Sequence, residues 1–359
     1  MNKKNANQIP MYLPFLPSLP LVSVLVANFN YGKYIGEAIE SVEKQDYRNY
    51  ELIICDDGST DDSLHIIQEY VNLNPKIRLI QKENGGHASA LNRAFQQSRG
   101  EIICILDADD FYHQKKVSKI VKSFQDNSQS GIVIHNLQVI DGNGGKKNVL
   151  KFKNEGYLGP EIPTLRKDLL YPQASGLSFR REVLKDILPI PEDIFQNAAD
   201  WGIAYVASYL THTALVPETL ASYRIHQENI SGTTSTAKEL NEKGIEKILG
   251  GMDRVLGFLN RFMIENYGFH VPIYQTRNVI EHRLLLGFLR MDHRLISAAI
   301  RDLKHAYRLA RRDYPLARYL FWLSQFAIPL PLARISLSLA FKLFKFQRRL
   351  INGVIPQQT

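Results

Sequence analysis

Along the N-terminal part of the chain, short runs of β-branched and aliphatic residues alternate with stretches whose apolar positions recur every three or four residues. Leu21–Ala27, Tyr50–Cys55, Ile77–Gln81 and Glu101–Leu106 read as strands, and Lys33–Lys44, Thr60–Asn72, His87–Gln97 and Gln114–Gln125 as helices. Near-continuous apolar strands alternating with helices predict a parallel sheet covered on both faces, with ligands bound beyond the carboxyl ends of the strands. Three of the strands run into polar segments, Ala27-Asn28-Phe29-Asn30-Tyr31, Asp56-Asp57-Gly58-Ser59 and Asp107-Ala108-Asp109-Asp110, and the fourth is followed by Asn84-Gly85-Gly86. An ordinary turn accounts for any one of these. All of them on the same edge is what a nucleotide pocket requires.

The aspartate cluster carries the most chemistry. Three carboxylates at the end of an apolar strand repel one another, which is costly unless a cation neutralises them. Oxygen-only ligands favour a hard divalent ion, Mn2+ or Mg2+, held by one or two carboxylates plus substrate phosphates. The competing reading is an acidic turn that caps the helix beginning near Gln114.

Four motifs occur in matching order: "VSVLVANFNYGKYIGEAIESVEKQDYRNYELIICDDGSTDDS", "KENGGHASALNRAFQQSRGEIICILDADD", "ADWGIAYVASYL" and "YRIHQENIS". Over about Leu21 to Gly232 they resemble family 2 glycosyltransferases of the non-processive type. That resemblance implies an α/β chain with the GT-A (nucleotide-diphospho-sugar transferase) fold: a mostly parallel central sheet flanked by helices, here with a C-terminal helical extension. Its expected parts are an N-terminal tail (1–20), a catalytic domain (21–236) and a basic, mainly helical extension (237–359).

The resemblance also implies roles. Asn28, Phe29 and Asn30 line the nucleotide base, with Phe29 placed to stack on it, and Asp56 accepts a hydrogen bond from a uracil ring, while Asp57 holds the turn. Gly58 permits that turn and Ser59 caps the next helix. Asn84, Gly85 and Gly86 form a close-approach loop for the donor, or an ordinary helix entry. Arg93 reaches the ribose or diphosphate, or is a solvated helix-face arginine. Asp107 contacts the ribose, Asp109 ligates the metal, and Asp110 supports or caps. His226 completes the metal shell or touches the diphosphate, helped by Arg224, although a loop histidine is often neither. Asp200 is the catalytic base that activates an acceptor hydroxyl, or the cap of a helix from Trp201 to Leu210. The family commonly places a Glu before that base, and here the neighbour is Ala199. One displacement with one base implies inversion at the anomeric carbon.

The expected activity is transfer of a single sugar from a nucleotide-diphosphate sugar, a UDP-sugar in preference, to a hydroxyl of a saccharide or lipid-linked acceptor in surface polysaccharide or glycolipid synthesis. The acceptor side is expected in loops over Asp141–Pro172. A Gln-x-x-Arg-Trp motif, the mark of processive relatives, is absent. Two rivals are a non-catalytic sugar-nucleotide scaffold or sensor, and a nucleotidyltransferase. The second would need a glycine-rich loop where Asn28-Phe29-Asn30-Tyr31 stands.

Charge separates the extension from the rest. Of the net +8, Ala237–Thr359 carries 20 Lys+Arg against 9 Asp+Glu, leaving the preceding residues at −3. Its helical patterns, Arg277–Arg290, His293–Arg312 and Arg318–Phe326, are rich in Leu, Ala and Arg. Its longest charge-free run, Tyr319–Ala333, contains two prolines and falls short of the ~20 residues that span a bilayer. A basic interfacial helix fits this pattern, as does a helical subdomain with a solvated basic face; peripheral membrane contact is the preferred expectation. No nucleic-acid recognition motif accompanies the charge. The first residues are polar and Pro14, Pro17 and Pro20 interrupt the apolar stretch after them, so no secretory signal is read and a cytoplasmic location is expected. Cys55 and Cys104 are expected as core thiols of a reducing compartment.

Overall fold

The structure is a computed structural model that describes residues 9–159, 171–195, 199–226, 229 and 242–271, with single positions 286, 294 and 298. The chain divides into two compact units, Met1–Ser235 with Asp253–Ile273, and Thr236–Met252 with Tyr274–Thr359. The predicted helices Arg277–Arg290, His293–Arg312 and Arg318–Phe326, and the proposed membrane-facing segment, lie outside the described residues apart from single positions. Among the described residues no helix is long and apolar enough to cross a membrane.

The first unit opens with the expected alternation: β1 (Val22–Asn28), α1 (Gly32–Glu43), β2 (Tyr50–Asp56), α2 (Ser63–Leu73), β3 (Ile77–Gln81), α3 (His87–Gln97) and β4 (Ile102–Asp107). There follow β5 (Phe111–Tyr112), α4 (Lys116–Asp126), β6 (Ser130–Asp141), β7 (Lys146–Leu150), a 3-10 turn at Ala174–Gly176, β8 (Leu177–Arg180), α5 (Arg181–Ile187), α6 (Ala199–Leu210), β9 (His212–Ile225) and α7 (Glu242–Tyr267), of which only the residues from Asp253 belong to this unit. The strands form one sheet in the order β3-β2-β1-β4-β8-β6-β9-β5, with β7 added to β6. Strands β3, β2, β1 and β4 are parallel throughout, whereas β8 runs antiparallel to both β4 and β6. Strands β6 and β9 are long and parallel to each other.

Strands β1, β2 and β4 are buried almost end to end, as expected of central strands with helices on both faces. Ile35, Ala38, Ile39 and Val42 of α1 sit at helical spacing in the same core as Val24, Leu52, Ile54 and Cys104. Helices α2 and α4 begin two or three residues later than the periodicity suggests. Before α2, Asp61 accepts the Ser63 and Gly32 amides (3.0 and 2.8 Å) and so fixes the starts of two helices. Before α4, buried Gln45 holds the His113 carbonyl through Nε2 (3.0 Å) and accepts the Val117 amide through Oε1 (2.9 Å). That glutamine satisfies a helix-start amide from far away in sequence.

Residues 9–21, before β1, have no regular structure but pack on the domain. The Met11 amide donates to the Leu210 carbonyl (2.7 Å), Arg180 donates to the Pro14 carbonyl (2.6 Å) and the Tyr47 hydroxyl to that of Pro20 (2.6 Å). The Asp141–Pro172 stretch is not loop throughout: Lys146–Leu150 pairs with β6 as an antiparallel edge strand. Both cysteines are buried and free.

Candidate active site

Parallel register brings the polar strand ends together: Asn28 is paired with Asp56, Ala27 with Asp107, and Asp56 with Gln81. At this edge Asp56 is fully buried and engaged by protein donors. Its carboxylate accepts Asn28 Nδ2 (2.7 Å), the Ser59 hydroxyl (2.7 Å) and the Ser59 amide (2.9 Å). Among the described residues, buried Asn28 Oδ1 has no hydrogen-bond partner. Asn30 adopts a left-handed φ of 58°, and its side chain accepts the Thr60 amide (2.7 Å). Phe29, half-buried, leaves the end of β1 beside them.

Asp57 organises the neighbouring loop. It accepts Lys82 Nζ (2.5 Å) and the amides of Gly85 (3.0 Å) and Gly86 (2.7 Å). The glycine amides, read from the sequence as free to approach a donor, are thus directed at a carboxylate of the protein. Glycine is needed at 58, where φ is +81° and a Cβ would lie 3.0 Å from the Asn84 nitrogen. Asn84 itself is exposed. Arg93 is exposed on α3 and donates to Gln96 (2.7 Å).

Beyond β4, ligand atoms of Asp107, Asp109 and Asp110 all lie within 4.8 Å of one another. Burial, reinforced by mutual repulsion, raises the proton affinity of Asp107 and Asp110 well above that of ordinary carboxyls. Burial also raises that of Asp109, opposed by His226. The three differ in their protein partners. Both oxygens of Asp110 are engaged, by the Ser175 hydroxyl (2.5 Å) and the Arg224 amide (2.8 Å). Asp109 Oδ2 is bonded to His226 Nε2 (2.9 Å) and Asn229 Nδ2 (3.0 Å). The Asp107 carboxylate accepts no hydrogen bond among the described residues; its amide donates to Ser175 Oγ (3.1 Å) and its carbonyl accepts the Asp110 amide (3.0 Å). An all-oxygen set so crowded and so reluctant to ionise fits a hard divalent cation.

The side of the cluster toward β9 is braced by Arg224. Its guanidinium, 4% exposed, donates to the Asp109 carbonyl (2.8 Å) and to Glu37, and lies over the Tyr34 and Phe111 rings (4.9 and 5.9 Å to the centroids). His226 packs on Tyr34 and Tyr31 (ring centroids 4.9 and 5.8 Å apart) while bonding Asp109. It therefore stands against the Asp109 carboxylate.

Asp200 lies in the first turn of α6, which begins at Ala199, so it sits inside the helix and not at its cap. It is half-buried, and its charge is felt at both Asp107 and His87. His87 opens α3; burial pushes its imidazole down, against the pull of Asp200, Asp57 and Asp109, which places it among the acidic groups of the site. His87, Glu37, Tyr34, Ser175 and Asn229 escaped the sequence reading as site residues. For His87 a signal was present, since it directly follows the glycine pair; the others reach the cluster only through the fold.

The family model described as glycosyl transferase family 2 matches residues 23–188. An uncharacterized glycosyltransferase of Nostoc sp. (strain PCC 7120) is 31% identical over 332 residues, covering 86% of this chain and 96% of that protein. The poly(ribitol-phosphate) beta-N-acetylglucosaminyltransferase TarS of Staphylococcus aureus is 31% identical over 167 residues, 46% of this chain but 28% of TarS. Among solved structures, TarS 1–349 in complex with UDP-GlcNAc overlays 81% of this chain and 90% of its own at TM-score 0.49 and 20% identity. The mannosyltransferase of Pyrobaculum calidifontis in complex with GDP-Man and Mn2+ overlays 91% and 86% at TM-score 0.48 and 19% identity. With the parallel β3-β2-β1-β4 half-sheet, the aspartate cluster at its edge and a full-length relative at this identity, the chain belongs to glycosyl transferase family 2, with a GT-A fold, and is a sugar-transferring enzyme.

Proposed function

We propose that the chain is a metal-dependent, inverting glycosyltransferase that moves one sugar from a nucleotide-diphosphate sugar, a UDP-sugar in preference, to a hydroxyl of a saccharide or lipid-linked acceptor. The observation that carries this reading is the convergence of Asp107, Asp109 and Asp110 at the sheet edge that also bears Asn28 and Asp56, with Asp200 near enough to load its charge on Asp107. TarS, similar over 167 residues, is an N-acetylglucosaminyltransferase solved with UDP-GlcNAc, which favours a uridine donor.

In this reading Asn28, Phe29, Asn30 and Asp56 form the base end of the donor pocket, with Asn84, Gly85, Gly86 and Arg93 along its flank. Asp107 receives the ribose. Asp109, steadied by His226, holds Mn2+ or Mg2+, which when bound supplies positive charge at the donor diphosphate. Asp200 takes the proton of the acceptor hydroxyl as its oxygen forms the new bond to the anomeric carbon. The bond from that carbon to the diphosphate oxygen breaks on the opposite face, its electron pair leaves with the nucleoside diphosphate, and the configuration inverts. The catalytic part is placed in 21–236. The basic residues 237–359 are placed at the cytoplasmic face of a membrane, where a lipid-linked acceptor of surface polysaccharide or glycolipid synthesis would be met. Their charge and Trp322 support that placement.

The test is turnover of a panel of nucleotide-sugars with acceptor extracts, followed by NMR of the product anomer. Release of nucleoside diphosphate with an inverted linkage is expected. Nucleotide binding without release under any acceptor would favour a scaffold, and a retained configuration would remove Asp200 from its role.

A further inference from the structure

The aspartate cluster rests on a buried platform that sequence motifs do not reveal. Strand β8 runs antiparallel to β4 with Cys104 opposite Ser178, and the same register continued three residues sets Ser175 against Asp107. The side chain of Ser175 is wholly buried. Its hydroxyl donates to Asp110 Oδ2 (2.5 Å) and accepts the Asp107 amide (3.1 Å), so one oxygen ties both ends of the acidic turn. The Ser175 carbonyl in turn accepts Lys116 Nζ (2.7 Å).

Lys116 is itself fully buried, and its ammonium lies 3.5 Å from the centroid of the Tyr112 ring. Tyr112 is anchored through its hydroxyl to the Ile105 carbonyl (2.6 Å) on β4. The 3-10 turn that carries Ser175 packs closely on Pro172, since a Cβ on Gly176 would fall 2.4 Å from Pro172 Cβ. A buried ammonium is expensive unless a nearby field repays it. Burial lowers the proton affinity of Lys116 to about 7, opposed by Cys104 and by Asp110 of the cluster.

We propose that Ser175, backed by Lys116, is the positioning residue that sets the Asp107–Asp110 turn to receive a divalent cation. This rests on the metal reading above. Ser175 does not touch the cation. It holds Asp110 by hydrogen bond and the Asp107 main chain by another, which fixes both ends of the turn that presents Asp109. Partners that orient ligands from behind typically carry ~10–100-fold in metal affinity.

The experiment measures free Mn2+ by electron paramagnetic resonance during titration of the full chain, for wild type, Ser175→Ala and Lys116→Met, with metal-free melting curves alongside. Ser175→Ala is expected to bind Mn2+ at least ~10-fold more weakly while its metal-free melting stays within a few degrees of wild type, and folded Lys116→Met to be weakened in the same direction. Unchanged Mn2+ affinity in Ser175→Ala would overturn the proposal. So would a loss that merely follows the fraction unfolded, which would make Ser175 structural. Wild type that binds no Mn2+ would instead remove the metal reading itself, a result distinct from wild type and variant binding alike.

Discussion

Replacing Arg224 by methionine keeps the length of the side chain and removes the guanidinium that braces the acidic turn. Its bond to the Asp109 carbonyl, 2.8 Å long and buried, is a charge-assisted bond worth ~2 kcal/mol. Stacking over Tyr34 and Phe111 adds ~1 kcal/mol. The Glu37 partner has a side chain 53% exposed, so that ion pair is discounted for solvent to at most ~1 kcal/mol. Methionine recovers some packing, which leaves a net loss of about 3 kcal/mol. For a catalytic unit of this size that corresponds to a fall of ~6–12 °C in Tm. Arg224→Lys retains a charge but cannot meet Glu37 and the Asp109 carbonyl together while contacting the Tyr34 and Phe111 rings, so it should recover less than half. The assay is urea unfolding without metal, paired with Mn2+ titration, since the Asp109 main chain moves when its carbonyl loses its donor. Stability of Arg224→Met within ~0.5 kcal/mol of wild type would refute the bracing role.

Asp200→Asn should lower kcat by ~100–10,000-fold with donor KM nearly unchanged, measured by nucleoside diphosphate release; an equal effect on donor binding would move Asp200 out of the base role. Because the carboxyls of Asp107, Asp109 and Asp110 hold protons more tightly than usual, Mn2+ affinity should strengthen as pH rises through that raised range and weaken below it; affinity flat with pH would contradict the shifts. The stability sign follows: carboxyls raised in the folded state favour it below the ordinary carboxylate range, and that contribution is lost as pH climbs through the raised values. Metal-free wild type should therefore lose more stability toward neutral pH than Asp107→Asn, a comparison that cancels the opposite trend of buried His135 and Lys116. Burial pushes the Cys55 thiol up to about 12 and raises that of Cys104, so iodoacetamide should label neither until the protein unfolds; fast native labelling would mean an open core.

The parallel half of the sheet was legible because its strands are apolar throughout and its helices periodic. Predicted and observed strands β1 to β4 differ by at most one residue at an end. The polar ends were legible too, since parallel strands in register must deliver their next residues to one edge. What was hidden depends on distant pairing. Ser175 lies 65 residues from Asp110, Arg224 lies 187 from Glu37, and Gln45 meets the start of α4 from 72 residues away. None of those partners is marked by local spacing. Lys116 reads as one more helix-face lysine in "HQKKVSK", yet it is among the most deeply buried side chains. The glycine pair shows the reverse limit: composition announced a tight loop, but only the fold shows its amides directed at Asp57. Lys146–Leu150 gave little signal because an exposed edge strand need not alternate in polarity.

The most direct test of the central claim is calorimetric titration of UDP, GDP and other nucleoside diphosphates with and without Mn2+, on wild type and Asp109→Ala. Mn2+-dependent binding selective for UDP, lost in Asp109→Ala while the variant melts as a folded protein, is the predicted result. Binding indifferent to Mn2+ and to the substitution would contradict a donor site built on the aspartate cluster.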